Sequence, residues 1–391
     1  MTTLRMVVDQ MAAPVPGSLG RYTEDLTRAL IQTAPPGCDV EGIVSATPAE
    51  QCRQIEEKLP GLGSLYKTTL ARRELTAAWQ LGLGTSPGPG IIHAPGLLAP
   101  LRRHDRIGGP FTQVTVTVHD VLAWTHPDAL SNATAAWTKT VMKRARKFAD
   151  AVVVPSHALA EQLAEIMDFG DRVRVITPAV PSGLRLPSGS LTPGTADAEA
   201  LVAPRAEALG LPSEYILTSG SLTPRKALPA LIAALGLPGT PDLPLIVLGP
   251  ASWGELDLAS VAGQAGLEPG RVRALSGLTD EDMAVVFARA TVFVQPSLEE
   301  GFGQEIIEAF HFGTPVIHSD APALVETAGD AGLVVARDDA AGYPERLADA
   351  LTRVLTDDAL AARLSIVGSD RAKAFSWRDS AERVWQLHAD L

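Results

Sequence analysis

The sequence predicts an α/β protein with two parallel sheets in tandem, each flanked by helices, and three observations carry that prediction. Short β-branched runs alternate with helical stretches from end to end, which is the pattern of parallel strands joined by crossover helices. The runs fall into two series, separated by residues 178–212, a stretch rich in Pro, Gly, Ser and Ala. That composition predicts a linker or long surface loop. A chain of 391 residues is also long enough to bury two separate cores.

Strand candidates in the first series are "LRMVVD", "DVEGIV", "GIIHA", "QVTVTVH", "AVVVPS" and "VRVIT"; in the second, "YILTSG", "PLIVLG", "RVRAL", "TVFVQPS", "TPVIHS" and "GLVVA". The chain therefore reads as two Rossmann-like domains, 1–180 and 213–374, with 181–212 between them. A helical tail from about residue 340 ends in a helix at 375–391.

No apolar run approaches the roughly 20 residues that cross a bilayer, and "MTTLRMVVDQM" lacks a signal peptide's long apolar stretch. A cytoplasmic location is expected. Cys38 and Cys52 sit in no metal or redox motif and are expected to be reduced. The formal charge of -12 is uneven: residues 1–180 carry 18 Lys+Arg against 17 Asp+Glu, and 181–391 carry 15 against 28. An acidic chain is a poor match for nucleic-acid phosphates. The near-neutral half does hold "LRRHDR" (101–106) and "KRARK" (143–147). These read either as solvated surface or as a face for an anionic acceptor or lipid head groups, which would make the first domain peripheral to the inner face of a membrane.

In open α/β sheets a ligand lies outside the carboxyl ends of the strands, so the residues after each strand are the candidates. "PVPGSLGRYTEDLTRAL" follows the first strand, and Gly17 and Gly20 there would let backbone approach a phosphate at a helix N-terminus. A loop that merely turns the chain fits equally well. "VTVHDVLAW" puts His119 and Asp120 at the end of a strand, where an imidazole either meets a sugar hydroxyl or is a structural histidine held by its neighbour. His93 in "IIHAPG" reads as structural.

"YILTSGSLTPRKALPALIAAL" ends a strand at Gly220, turns at Pro224, and is predicted to open a helix on Arg225 and Lys226. Cations in a helix's first turn oppose its dipole. A diphosphate lying there would explain them, with Arg as a bidentate donor and Lys as a point charge; two solvated basic residues are the plainer alternative.

"TVFVQPSLEEGFGQEIIEAFHFG" reads as a buried strand, a glycine-rich turn and a short helix closed by Gly313. Glu300 lies in the turn, and Glu308 stands among apolar Ile306, Ile307, Ala309 and Phe310. A carboxylate near a core needs a partner, and the vicinal hydroxyls of a ribose suit its two oxygens. Gly301 and Gly303 would turn backbone N–H groups toward the same place, whereas Glu299 and Glu305 read as incidental acids. "DED" (280–282) has a D-x-D spacing but starts a predicted helix, where acids complement the dipole, so no metal site is expected. The chain has no G-x-S-x-G elbow, no Walker lysine loop and no H-E-x-x-H.

"PSLEEGFGQEIIEAFHFGTPVI" resembles the E-x7-E signature of retaining family 4 glycosyltransferases, also called glycosyl transferases group 1, which have the GT-B fold. "GSLTPRKAL" is similar to that family's Arg-Lys diphosphate site, "GSLGRY" to its N-terminal glycine loop and "VTVHD" to its histidine strand; "HDVLAWTHPDALS" is closest in flavour to bacterial mannosyltransferases. The resemblance spans essentially the whole chain. It implies two Rossmann-like domains facing each other across a cleft, with the last helix crossing back to the first domain. It also implies transfer of a hexose from a nucleotide sugar to a hydroxyl of a glycan or glycolipid, GDP-mannose being preferred over a UDP-sugar, with no metal and no other cofactor.

Carried over by residue, Glu308 would bind the donor ribose, and Glu300 with Gly301, Phe302 and Gly303 would hold the sugar. Arg225 and Lys226, beside Gly220, would neutralise the departing diphosphate. His119 would touch the sugar, Gly17 and Gly20 would close over the phosphates, and Gly277 and Leu278 would lie under the base. Three positions depart from the family pattern: Ala227 replaces the usual Asn, Ser18 and Leu19 replace a glycine-richer loop, and "TPAVP" lacks the usual Asn-Gly. Two other readings compete, a nucleotide-sugar epimerase of the same fold and a silent sugar-nucleotide binding module. The first needs acid/base groups around the sugar that the sequence does not offer beyond His119.

Overall fold

A computed structural model describes residues 2–83, 88, 90–104, 112–186 and 196–391. Of the "LRRHDR" cluster, Asp105 and Arg106 fall outside the described residues. The chain forms two units, Met1–Pro181 with Ser376–Leu391, and Ser182–Phe375.

The first unit is built on seven parallel strands, β1 (Thr2–Val7), β2 (Cys38–Val44), β3 (Leu65–Lys67), β4 (Ile91–Ala94), β5 (Gln113–Thr117), β6 (Ala151–Val154) and β7 (Val173–Val175). Their order is β3-β2-β1-β4-β5-β6-β7, so the winding reverses between β1 and β4. Central strands such as β4 and β6 are buried along their whole length, as strands covered on both faces must be. The helix Gly17–Gln32 covers one face through Leu26 and Leu30 and shares that cluster with Ala381, Val384 and Leu387 of the terminal helix Trp377–Asp390. Trp385 Nε1 donates to Leu30 O (3.2 Å) and Trp377 Nε1 to Val180 O (2.9 Å). The last helix is thus an integral layer of the first unit.

One buried polar chain also anchors that helix. His388 Nδ1 lies 2.9 Å from Gln113 Oε1, His93 Nδ1 lies 3.2 Å from His388 Nε2, and Gln113 Nε2 donates to His388 O (3.2 Å). The amide oxygen can only accept, so His388 carries its proton on Nδ1 and receives one from His93 on Nε2. His388, accepting at Nε2, is therefore neutral. Burial holds His93 down to about 4, and burial with the neighbouring His93 holds His388 well below its ordinary value.

The second unit has six parallel strands, β8 (Ile216–Ser219), β9 (Leu245–Leu248), β12 (Val272–Leu275), β13 (Val292–Gln295), β14 (Val316–Ser319) and β15 (Leu333–Val335). A small antiparallel hairpin, β10 (Ser252–Trp253) and β11 (Leu256–Asp257), stands apart. The six-stranded order is β12-β9-β8-β13-β14-β15. It repeats the topology of the first unit, with the reversal between β8 and β13.

The stretch expected as a linker, 181–212, contains a helix, Ala196–Ala208. Arg205 on that helix pairs with Glu281 and, at 2.5 Å, with Asp282. Asp282 in turn completes a capping box with Thr279 at the start of the helix Asp280–Arg289, so the "DED" acids serve a helix terminus and an ion pair. No helix among the described residues is long and apolar enough to cross a membrane.

Candidate active site

Strand reversal between β8 and β13 decides what meets at their carboxyl ends. A chain leaving β8 and a chain leaving β13 turn to opposite faces, opening a crevice between them. The turn after β8 carries Arg225 and Lys226, and the turn after β13 carries Glu300. A backbone bond, Leu298 N to Arg225 O at 2.7 Å, pins one turn to the other.

Arg225 and Lys226 do not open the helix as expected. They form a separate 3-10 turn, Pro224–Lys226, and the helix begins at Leu228. The break comes from Ala227, which adopts a left-handed conformation (φ 48°, ψ 28°). That region costs an L-residue with a Cβ about 1 kcal/mol and is best tolerated by Gly and Asn. This gives a physical reason for the Asn that the family resemblance implies here. Gly220 leaves room for the stem of Lys226: a Cβ there would come within 3.0 Å of Lys226 Cδ.

The two cations meet Glu300. Lys226 Nζ lies 2.5 Å from Glu300 Oε1, and Arg225 Nη1 lies 3.1 Å from Glu300 Oε2 and 3.2 Å from Glu299 O. Burial alone would raise the Glu300 carboxyl, but the charges of Lys226 and Arg225 outweigh it and hold the group at about 2. Glu300 is thus held ionised between the Lys226 ammonium and the Arg225 guanidinium. Removing one partner of such a buried set costs about 3–5 kcal/mol.

Gly303 starts the next helix, Gln304–His311, in a left-handed conformation (φ 92°), and a Cβ there would strike Leu324. The turn is closed from behind by Phe302, whose carbonyl accepts from Thr327 Oγ1 (2.6 Å) and whose ring meets Phe375 edge-on. Glu308, 1% exposed, lies on the inner face of this helix with Ile306, Ile307, Ala309 and Phe310. Gly301 is buried in the same turn. Glu305, expected as incidental, is half-buried and within 3.4 Å of Ser219 Oγ. Gly277 (φ 70°) and the half-buried Leu278 follow β12, two strands away from β8 in the sheet.

The remaining candidates belong to the first unit. His119 Nε2 lies 2.6 Å from Pro95 O, and the Tyr22 ring packs edge-on at 4.8 Å. Burial lowers its pKa, with the Pro95 carbonyl and Asp120 pulling the other way. A neutral ring that donates from Nε2 has Nδ1 as an acceptor, suited to a hydroxyl proton. Gly17 is the first residue of its helix (φ 62°). Gly20 is not in a loop: it lies in that helix's first turn, where a Cβ would meet Pro16 Cβ at 2.3 Å. Close packing accounts for Gly20.

Sequence reasoning missed Gln295 and Ser297. Gln295 closes β13, is fully buried, and donates from Nε2 to Glu300 Oε1 (3.0 Å) and Ser297 Oγ (3.1 Å). The signal was one amide ending an otherwise apolar strand, "VFVQ".

Two family models cover most of the chain: Glycosyltransferase Family 4 matches residues 19–183 and Glycosyl transferases group 1 matches residues 213–357. The first unit thus carries a Glycosyltransferase Family 4 domain and the second a Glycosyl transferases group 1 domain. The chain is similar to the O-antigen chain mannosyltransferase B of Escherichia coli, 34% identical over 168 residues, covering 42% of this chain and 43% of the relative. It is also similar to the D-inositol 3-phosphate glycosyltransferase of a Nocardioides species, 32% identical over 260 residues, 61% of this chain and 53% of the relative. The matched stretches thus span about half the length of these relatives. Sucrose-phosphate synthase from Thermosynechococcus elongatus shares the GT-B fold with a TM-score of 0.71 and 23% identity, covering 100% of this chain and 99% of that one.

Proposed function

We propose that this glycosyltransferase moves a hexose, mannose in preference, from a nucleoside-diphosphate sugar to a hydroxyl of a glycan or glycolipid, with retention and without a metal. One observation carries the reading: Arg225, Lys226 and Glu300 converge at the strand reversal of the second unit. A diphosphate competes for the two cations, drawing them from Glu300 and leaving its carboxylate to accept from sugar hydroxyls. Glu308 takes the ribose. Two fixed cations supply the charge stabilisation for which other enzymes use a metal.

In a front-face route the bond from C1 to the diphosphate oxygen breaks and the bond from C1 to the acceptor oxygen forms on the same face. The acceptor's proton passes to the departing phosphate oxygen, so the protein positions and stabilises rather than acting as base. Neutral His119 accepts from a sugar hydroxyl. The mannosyltransferase relative supports mannose. Exposed Arg102, Arg103, Lys143, Arg146 and Lys147, brought together where Arg144 Nε donates to Leu101 O (3.2 Å), support an anionic, lipid-borne acceptor.

A thermal-shift screen against GDP-, UDP- and dTDP-sugars tests the donor, because a ligand that binds only the folded state raises its melting temperature. NMR of the product's anomeric centre tests retention, and activity in excess chelator tests metal independence. An epimerised donor without acceptor, or donor binding with no transfer to any acceptor, would overturn the assignment.

A further inference from the structure

We propose that Gln295 is a positioning residue that holds the Glu300 carboxylate when a nucleoside diphosphate takes its cations. The inference rests on the reading above and deepens it.

Glu300 has two kinds of partner. Arg225 and Lys226 are charged and sit on the turn after β8, whereas the neutral partners are Gln295, the last residue of β13, and Ser297, on the turn that this strand launches and that carries Glu300 itself. Gln295 donates to Oε1, the same oxygen that Lys226 occupies. An anion competes far more strongly for ammonium and guanidinium groups than for a buried neutral amide. When Lys226 swings to a phosphate, Oε1 therefore keeps one donor, and the carboxylate keeps its direction.

The side chain has a second mark of a positioning role. Gln295 is fully buried, and its Oε1 has no hydrogen-bond partner among the described residues. A buried carbonyl without a donor is unfavourable, and an apolar residue would suit a strand ending "VFV" better. The amide's two donor contacts, to Glu300 and Ser297, are what it contributes. Loss of the amide donor also raises the Glu300 carboxyl once the cations are engaged elsewhere, because a hydrogen bond to the ionised form favours that form.

The test compares wild type with Gln295→Leu and Gln295→Asn, the second of which keeps the amide but is too short to reach. Calorimetry with GDP and UDP comes first, then transfer rates against pH. Expected are nucleoside-diphosphate affinity within about threefold of wild type, a melting temperature within about 2 °C, and kcat at least tenfold lower in both variants. The acid limb of kcat should move upward by about one pH unit. If both variants keep the wild-type kcat and acid limb, the positioning role is wrong while the transferase reading stands. If affinity, kcat and melting temperature fall together, Gln295 is only a structural residue and the proposal fails. If wild type neither binds a nucleoside diphosphate nor transfers from any nucleotide sugar, the reading beneath it fails, and the proposal with it.

Discussion

Both units of the chain bury a polar network, and the two are built on opposite principles. In the first unit, His93, His388 and Gln113 form a directional, uncharged chain between the sheet and the terminal helix. In the second, Glu300, Arg225 and Lys226 form an ionic cluster at the strand ends, with Gln295 beneath it. The uncharged chain links sheet and helix within the protein and presents no charge to a ligand, although His93 Nε2 has no hydrogen-bond partner among the described residues. The ionic cluster concentrates two cations on one anion, an arrangement that a diphosphate can exchange into. Two cations converging on one carboxylate, and not merely the burial of polar groups, is what sets the second network apart.

The sharpest way to break the contrast is Arg225→Ala. Loss of a fixed donor to the departing diphosphate should lower kcat/KM by about 100- to 1000-fold and weaken nucleoside-diphosphate binding in calorimetry; intact binding and turnover would remove the diphosphate role from the ionic cluster.

Acid separates the two networks next. For His93 the folded-state value lies below 6.5, at about 4, so the unfolded chain takes up the proton first. Stability is complete above about 6.5 and is lost as pH falls toward 4, by roughly 3 kcal/mol for this residue. Glu300 is also depressed, from 4.5 to about 2, so its contribution persists through the histidine window and is lost only between 4.5 and 2. Denaturant unfolding at a series of pH values should show the earlier loss, and His388→Leu should reduce it while leaving the later one.

Within the second unit the two glutamates should divide. Glu308→Ala should weaken nucleoside-diphosphate affinity by about tenfold, the loss of one charged hydrogen-bond set. Glu300→Ala should keep that affinity or tighten it, since the cations are released from their carboxylate, yet depress transfer. The reverse pattern in calorimetry and kinetics would exchange their roles.

The smallest effect concerns the turn itself. Ala227→Gly should relieve the left-handed backbone and raise stability by about 0.5 kcal/mol, read as a higher urea midpoint; a lower midpoint would show that the buried methyl outweighs the strain.

Much of this architecture was legible. All twelve expected strands are present, because β-branched runs bounded by Gly and Pro are the strongest local signal of buried parallel strands. The three that escaped are short: β3 at the sheet edge and the two-residue strands of the hairpin. The helix Ala196–Ala208 was hidden by the Pro, Gly and Ser around it, and its anchor, Arg205 on Glu281 and Asp282, spans more than seventy positions. Gln295 escaped because a lone amide has no motif. His93 read as structural, but its partner 295 positions away had no trace in the local pattern.

The sequence by itself determined the strand–turn–helix units and which side chains follow each strand, since hydrophobic periodicity and turn chemistry are local. Only the tertiary structure decided that β13 lies beside β8, so that Glu300 meets Arg225 and Lys226. Strand order is fixed by how whole helices and strands pack into one core, and no residue encodes it alone.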